Sequence, residues 1–298
     1  MDTLVLDRLN KLSVERHADA YADIAWESEE LRIDPADPRF ALWSVDPLTE
    51  TQWYKAQPIE VQTRLGLWRV ATAMRVGWEF ENILQRGALA YLFRLDNGAP
   101  QFRYLHHEII EESQHTLMFQ EFVNRTGLPV KGLPWRIKRA AERIVIPLSG
   151  RFPALFFLFV LGGEEPVDHL QRRLLRDGGL HPLVERIIRI HVAEEARHVS
   201  FARHYLATEV PKLGWARKQV MGAAAPVLMG IMSRLMLEPS RYMLRKNGVP
   251  RAVAREAYGS PEAHELLRDS VAKVRNLWDE LGLVNAANRP LWKLLRVG

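Results

Sequence analysis

The 298-residue sequence contains no cysteine. That excludes disulfides, thiolate zinc sites, cysteine nucleophiles and cysteine-held iron–sulfur clusters, and leaves imidazole and carboxylate as the strong metal ligands. There is no Gly-x-Ser-x-Gly elbow for serine catalysis and no Gly-x-Gly-x-x-Gly fingerprint for a bound nicotinamide or flavin. No region keeps up the apolar–polar alternation of a half-buried strand, so an all-α fold is expected. The opening stretch MDTLVLDRLNKLSVERH is interrupted by Asp2, Asp7, Arg8 and Lys11. It offers neither a signal-peptide core nor a membrane span, and a cytoplasmic location is the expectation. Charge is not strongly one-sided either: 41 Lys and Arg against 36 Asp and Glu give +5. The two signs are interspersed, which describes a solvated surface and no nucleic-acid partner.

What is present reads as one helical domain over 1–298. Residues 28–58 hold Pro35, Pro38, Pro47 and Pro58 among Asp, Ser and Trp, which predicts an extended N-terminal arm, taken as 1–57. A four-helix core follows over 58–209. Its helices are predicted at about Pro58–Leu95, Pro100–Arg125, 152–176 and 181–209, punctuated by Asn97-Gly98, Gly127, Pro129, Gly150 and Pro211. A shorter amphipathic stretch is expected at 135–148. Residues 210–298 read as three or four accessory helices. The apolar run Val220–Leu237 is interrupted by Pro226 and Arg234 and predicts a packed helix, with no membrane span.

Chemistry enters through a repeated tetrapeptide. Glu112-Ser-Gln-His115 and Glu195-Ala-Arg-His198 are two copies of Glu-x-x-His on separate helices, and residues three apart share a helix face. One copy is weak evidence, because an exposed Glu-His pair needs no metal. In ferritin-like di-iron bundles each such helix is joined by a glutamate from the helix before it. Glu81 precedes Glu112 by 31 residues, and Glu164 precedes Glu195 by the same 31. The whole constellation therefore recurs at one offset of 83 residues. Glu81 shares its face with Met74, Trp78 and Leu84, whereas neighbouring Glu79 aligns with Arg75 and Arg86 and looks solvated. Glu164 aligns with Phe157 and Leu161, and Glu165 with His169 and Arg172, which makes Glu164 the expected ligand. His191 stands on the stripe of Glu195 and His198, and its repeat-mate is Glu108. The other histidines, His17, His106, His107, His169, His181, His204 and His264, have no comparable spacing. Two divalent ions balance four buried carboxylates, and oxygen and nitrogen donors suit iron, or manganese at one or both positions.

The seven positions resemble the AurF-type arylamine N-oxygenases, a family of non-haem di-iron enzymes. The resemblance rests on Glu81, on Glu112 with His115, on Glu164, and on the His-x-x-x-Glu-x-x-His formed by His191, Glu195 and His198, over about residues 60–210. It implies a ferritin-like four-helix bundle with those seven side chains as metal ligands, two iron ions, and dioxygen as co-substrate. It also implies oxidation of an aromatic amine through a hydroxylamine towards a nitro group. Electrons must then come from an external donor. Apolar surface on the C-terminal helices is compatible with a homodimer. Two further functions fit the same ligands: oxidation of a fatty-acyl chain, as a desaturase or hydroxylase, and a metal-binding helical bundle without turnover.

Overall fold

Helices carry the whole architecture of the computed structural model, which describes residues 3–298 and has no strand among them. The N-terminal region forms α1 (Thr3–Glu15), three 3-10 turns and the one-turn α2 (Gln52–Lys55). The long helices are α3 (Ile59–Leu92), α4 (Pro100–Thr126), α7 (Pro153–Asp177) and α8 (Pro182–Glu209). Between α4 and α7 run α5 (Trp135–Ala140), a π turn at Ala141–Val145, and α6 (Ile146–Ser149). After α8 come α9 (Trp215–Leu237), α10 (Arg241–Lys246), α11 (Arg251–Tyr258), α12 (Pro261–Ser270), α13 (Ala272–Glu280) and α14 (Arg289–Leu294).

Proline and glycine set the ends of the core helices. Pro100, Pro153 and Pro182 stand in first turns, where a missing N–H leaves no hydrogen bond unmade. Gly127 closes α4 at φ 62°, a left-handed cap that a β-carbon disfavours. Short connections make α3 and α4 one antiparallel pair and α7 and α8 another, and contacts of α3 with α7 and of α4 with α8 join the pairs into a four-helix bundle.

Along all four helices the buried residues fall into three layers. One apolar layer includes Tyr104, Leu105, Phe157, Leu161 and Phe201. The opposite one includes Met74, Met118, Phe122, Leu174 and Ile187. Between them each helix contributes acidic or imidazole side chains to a buried polar layer. The two hydrophobic layers supply the packing that keeps this expensive middle layer out of water.

Two expectations need correction. Part of the predicted extended arm, Thr3–Glu15, is a helix that lies against α4 and α8. The C-terminal region holds six helices where three or four were expected, most of them only six to ten residues long. The stretch Trp215–Lys246, which contains α9, is apolar enough to cross a membrane by length and composition; 56% of its most apolar window is buried inside the protein. There α9 packs on α7, α12 and α14.

Candidate metal centre

The polar layer brings all seven sequence-predicted side chains together. Glu81 comes from α3, Glu112 and His115 from α4, Glu164 from α7, and His191, Glu195 and His198 from α8; none is more than 2% exposed. His115 Nδ1 lies 3.4 Å from Glu195, 3.8 Å from Glu112 and 3.9 Å from Glu81. His198 Nδ1 lies 3.0 Å from Glu195 and 3.3 Å from Glu112. His191 turns its Nε2 inward, 3.4 Å from Glu81 and 3.9 Å from Glu195. Three overlapping groups have donor atoms close enough to hold an ion: Glu81 with His115 and His191, Glu112 with His115 and Glu195, and Glu164 with His191 and Glu195.

An outer ring of hydrogen bonds orients the imidazoles. His115 Nε2 is 2.9 Å from Glu194, and His198 Nε2 is 2.7 Å from Glu111. Each outer carboxylate fixes the tautomer that leaves Nδ1 facing the cluster. Glu111 and Glu194 are themselves repeat-mates, each immediately before a motif glutamate. The pairing is crossed: the carboxylate on α4 serves the histidine on α8, and the reverse. Arg197 reaches both, at 2.9 Å from Glu111 and 3.5 Å from Glu194. His191 uses Nδ1 to reach the Gln171 amide oxygen at 2.8 Å. Thr116 donates to Glu81 at 3.2 Å and accepts from Gln85.

The electrostatics show how crowded the layer is. Burial, and then the charge of Glu112, pushes the Glu81 carboxyl well up. Glu164 is raised in the same way, by burial and then by Glu195. Burial also works against charge on His115 and His198, yet the carboxylates around them outweigh it and hold both imidazoles well above the ordinary range. Glu195 goes the other way: burial opposes its ionisation, but His198 and His115 hold it low. Burial and nearby His115 bring His191 down to about 3, so it is a neutral imidazole.

Whether the residues fit a metal can be judged from their unmet hydrogen bonds. Glu112 Oε2, His115 Nδ1 and Glu195 Oε2 are buried without a hydrogen-bond partner. A native core leaves few such atoms, and these three residues form one of the potential ion-holding groups. The donors, all oxygen and nitrogen, are those of a hard or borderline divalent metal. They fit.

A model of the family described as p-aminobenzoate N-oxygenase AurF matches residues 2–282. The chain belongs to this AurF family. Membership makes it one of a family of oxygenases that act on small molecules, and the buried Glu and His groups accord with a metal site in such an enzyme. Among its relatives are an uncharacterized protein of Mycobacterium bovis and another of Mycobacterium tuberculosis strain H37Rv. Each is 42% identical over 296 residues, which cover 98% of this chain and 86% of the relative.

Several residues differ from expectation. Glu79, expected to be solvated, is buried; it accepts from the Leu133 backbone at 2.8 Å and pairs with Arg75 and Lys138, anchoring the segment after α4. Glu165, expected to be more exposed, is buried against Arg203. Among the remaining histidines, His181 is a buried cap of α8 that stacks on Phe40. Sequence reasoning missed Glu111, Glu194, Arg197 and Gln171. The first two had a signal: both copies read Glu-Glu-x-x-His.

Proposed function

We propose that the chain is a di-iron oxygenase that N-oxygenates a small amine, with Glu81, Glu112, His115, Glu164, His191, Glu195 and His198 as the ligands. The observation that supports this most directly is the convergence of seven buried donors from four helices, three of them with unpartnered atoms, in an AurF-family chain. Iron bound there would supply the reduction of dioxygen. Manganese is the other ion this donor set suits.

The protein's own contribution is placement and exclusion. Four carboxylates balance two divalent charges, and three imidazoles add donors without charge. Glu111, Glu194 and Gln171 keep the imidazole rings oriented, so the donor set is pre-formed. Phe80, Phe119 and Phe157, from the layers either side, keep bulk water from the reacting atoms. Conversion of an amine and dioxygen to a hydroxylamine and water consumes two electrons and two protons. A separate donor supplies the electrons.

The test is anaerobic iron loading, metal analysis per chain, and exposure to oxygen with arylamines, with products read by mass spectrometry. About two irons per chain and an oxygenated amine are expected. Two irons and oxygen consumption without amine oxidation would replace N-oxygenation by oxidation at carbon, as on an acyl chain. Two irons without oxygen consumption would leave a metal-binding bundle, and no bound metal would refute the ligand set.

A further inference from the structure

A cavity of about 70 Å³ opens between α3, α7 and α8, directly beside Glu81, Glu164 and His191. Away from that polar end its wall is hydrocarbon and aromatic, including Trp43, Val70, Met74, Leu170 and Ile188. Gln171 is the other polar side chain on the wall, and its oxygen is engaged by His191. No lysine or arginine is among the described residues that line the cavity.

Of the cations just outside, three are already committed, and Arg234 and Arg241 line an adjoining pocket that shares Ala73, Val76 and Met236 with this one. Arg69 lies over the Trp43 ring at 5.8 Å, but it is buried, 3.3 Å from Asp46 and bonded to the Leu237 carbonyl. Arg75 pairs with Glu79 at 2.9 Å, and Arg172 with Asp168 at 2.8 Å. The lining runs from Glu81 back to Val70 on α3, eleven residues or about 16 Å of helix. A substrate whose amine points at the carboxylates therefore has its far end against this apolar wall. A charge at that end is desolvated with no donor to meet it, which costs several kcal/mol per ion.

We propose that this cavity selects an uncharged amine with an apolar body and discriminates against anions such as p-aminobenzoate. The identity of the reacting group and its seat beside the carboxylates rest on the N-oxygenase reading above; the selection against charge at the far end rests on the walls. The volume is below the roughly 150 Å³ that admits benzene in an apolar cavity. An aryl ring therefore enters as Met74 and Met236, unbranched side chains on the wall, change rotamer.

The test is binding, measured by calorimetry on the iron-loaded protein without oxygen, of 4-methylaniline and 4-aminobenzoate. They share ring and amine, and differ in a methyl group against a carboxylate. Binding of 4-methylaniline at least ~30-fold tighter is expected, from the cost of burying an unpaired charge. An Ala73→Arg variant, which sets a guanidinium on the half-buried edge of the wall, should narrow that preference by about tenfold, while Ala73→Gln should leave it unchanged. Equal or tighter binding of 4-aminobenzoate by the unmodified protein overturns the proposal, as does failure to bind either compound. If 4-methylaniline binds with the expected preference and is not oxidised when oxygen and electrons are supplied, N-oxygenation falls and the selectivity stands.

Discussion

At the scale of single residues, holding a metal and shaping its ligands fall to different side chains. His115→Ala and His198→Ala each remove a proposed donor, and each should lower metal content by about half or more, read by elemental analysis. Glu111→Gln and Glu194→Gln keep every donor but disturb the hydrogen bond behind a histidine, so metal should still bind, about 10- to 100-fold more weakly in chelator competition. Unchanged affinity would reduce the outer ring to packing. Glu108, the repeat-mate of His191, gives a pH prediction. Burial, with Glu112 and Glu195 overcoming the pull of His198, pushes its carboxyl up to about 8. Folding of metal-stripped protein thus takes up a proton at Glu108 between the ordinary carboxylate range and about pH 8, and its contribution to stability falls as pH rises through that window. Glu108→Gln should melt progressively higher than the parent between pH 5 and 8, with a constant gap above. Six of the seven clustered side chains were legible because they repeat at one spacing, and His191 because it stands on the stripe of Glu195 and His198. Gln171 was not: its counterpart at the same offset is Ala88, so only three-dimensional proximity reveals it.

The bundle helices meet closely where one of them has no side chain. On α7 a β-carbon at Gly163 would stand 2.1 Å from the Phe80 ring of α3, next to proposed ligand Glu164. Gly163→Ala should therefore cost about 1–3 kcal/mol in denaturant unfolding, because overpacking forces two helices apart. Glu164 should move with α7, so the same variant is expected to lose metal; a neutral result in both assays would show that Phe80 has room to turn. Helix boundaries in the core were readable, since Pro100, Gly127, Pro153 and Pro182 punctuate them in the sequence. The N-terminal helix was not. It buries Leu6 and Leu9 as its large apolar side chains, too thin a stripe to announce itself, and its partners on α4 and α8 lie about a hundred residues or more away. The short C-terminal helices carried local signals in Ser240 and Ser260, whose hydroxyls accept from Met243 and Ala263, but six to ten residues show little periodicity.

At the scale of the whole molecule the N-terminal segment and the bundle are stitched together at the outer ring. The Ala18 N–H donates to Glu194 at 2.7 Å, the Ala20 N–H donates to Gln114 at 2.8 Å, and Arg197 donates to the Arg16 carbonyl. A chain lacking residues 1–20 should keep its helical circular dichroism yet surrender metal to a chelator several-fold faster, because Glu194 is then open to water. Metal release at the parent rate would mean that the segment covers the site without tightening it. The crossed pairing of Glu111 with His198 and Glu194 with His115 bears on ancestry as well as on chemistry. If the two Glu-Glu-x-x-His hairpins descend from one duplicated unit, each now carries the other's missing partner. Neither can drift, be exchanged or be expressed alone without leaving an imidazole in its sister unguided, so inheritance is bound to act on the two halves as one.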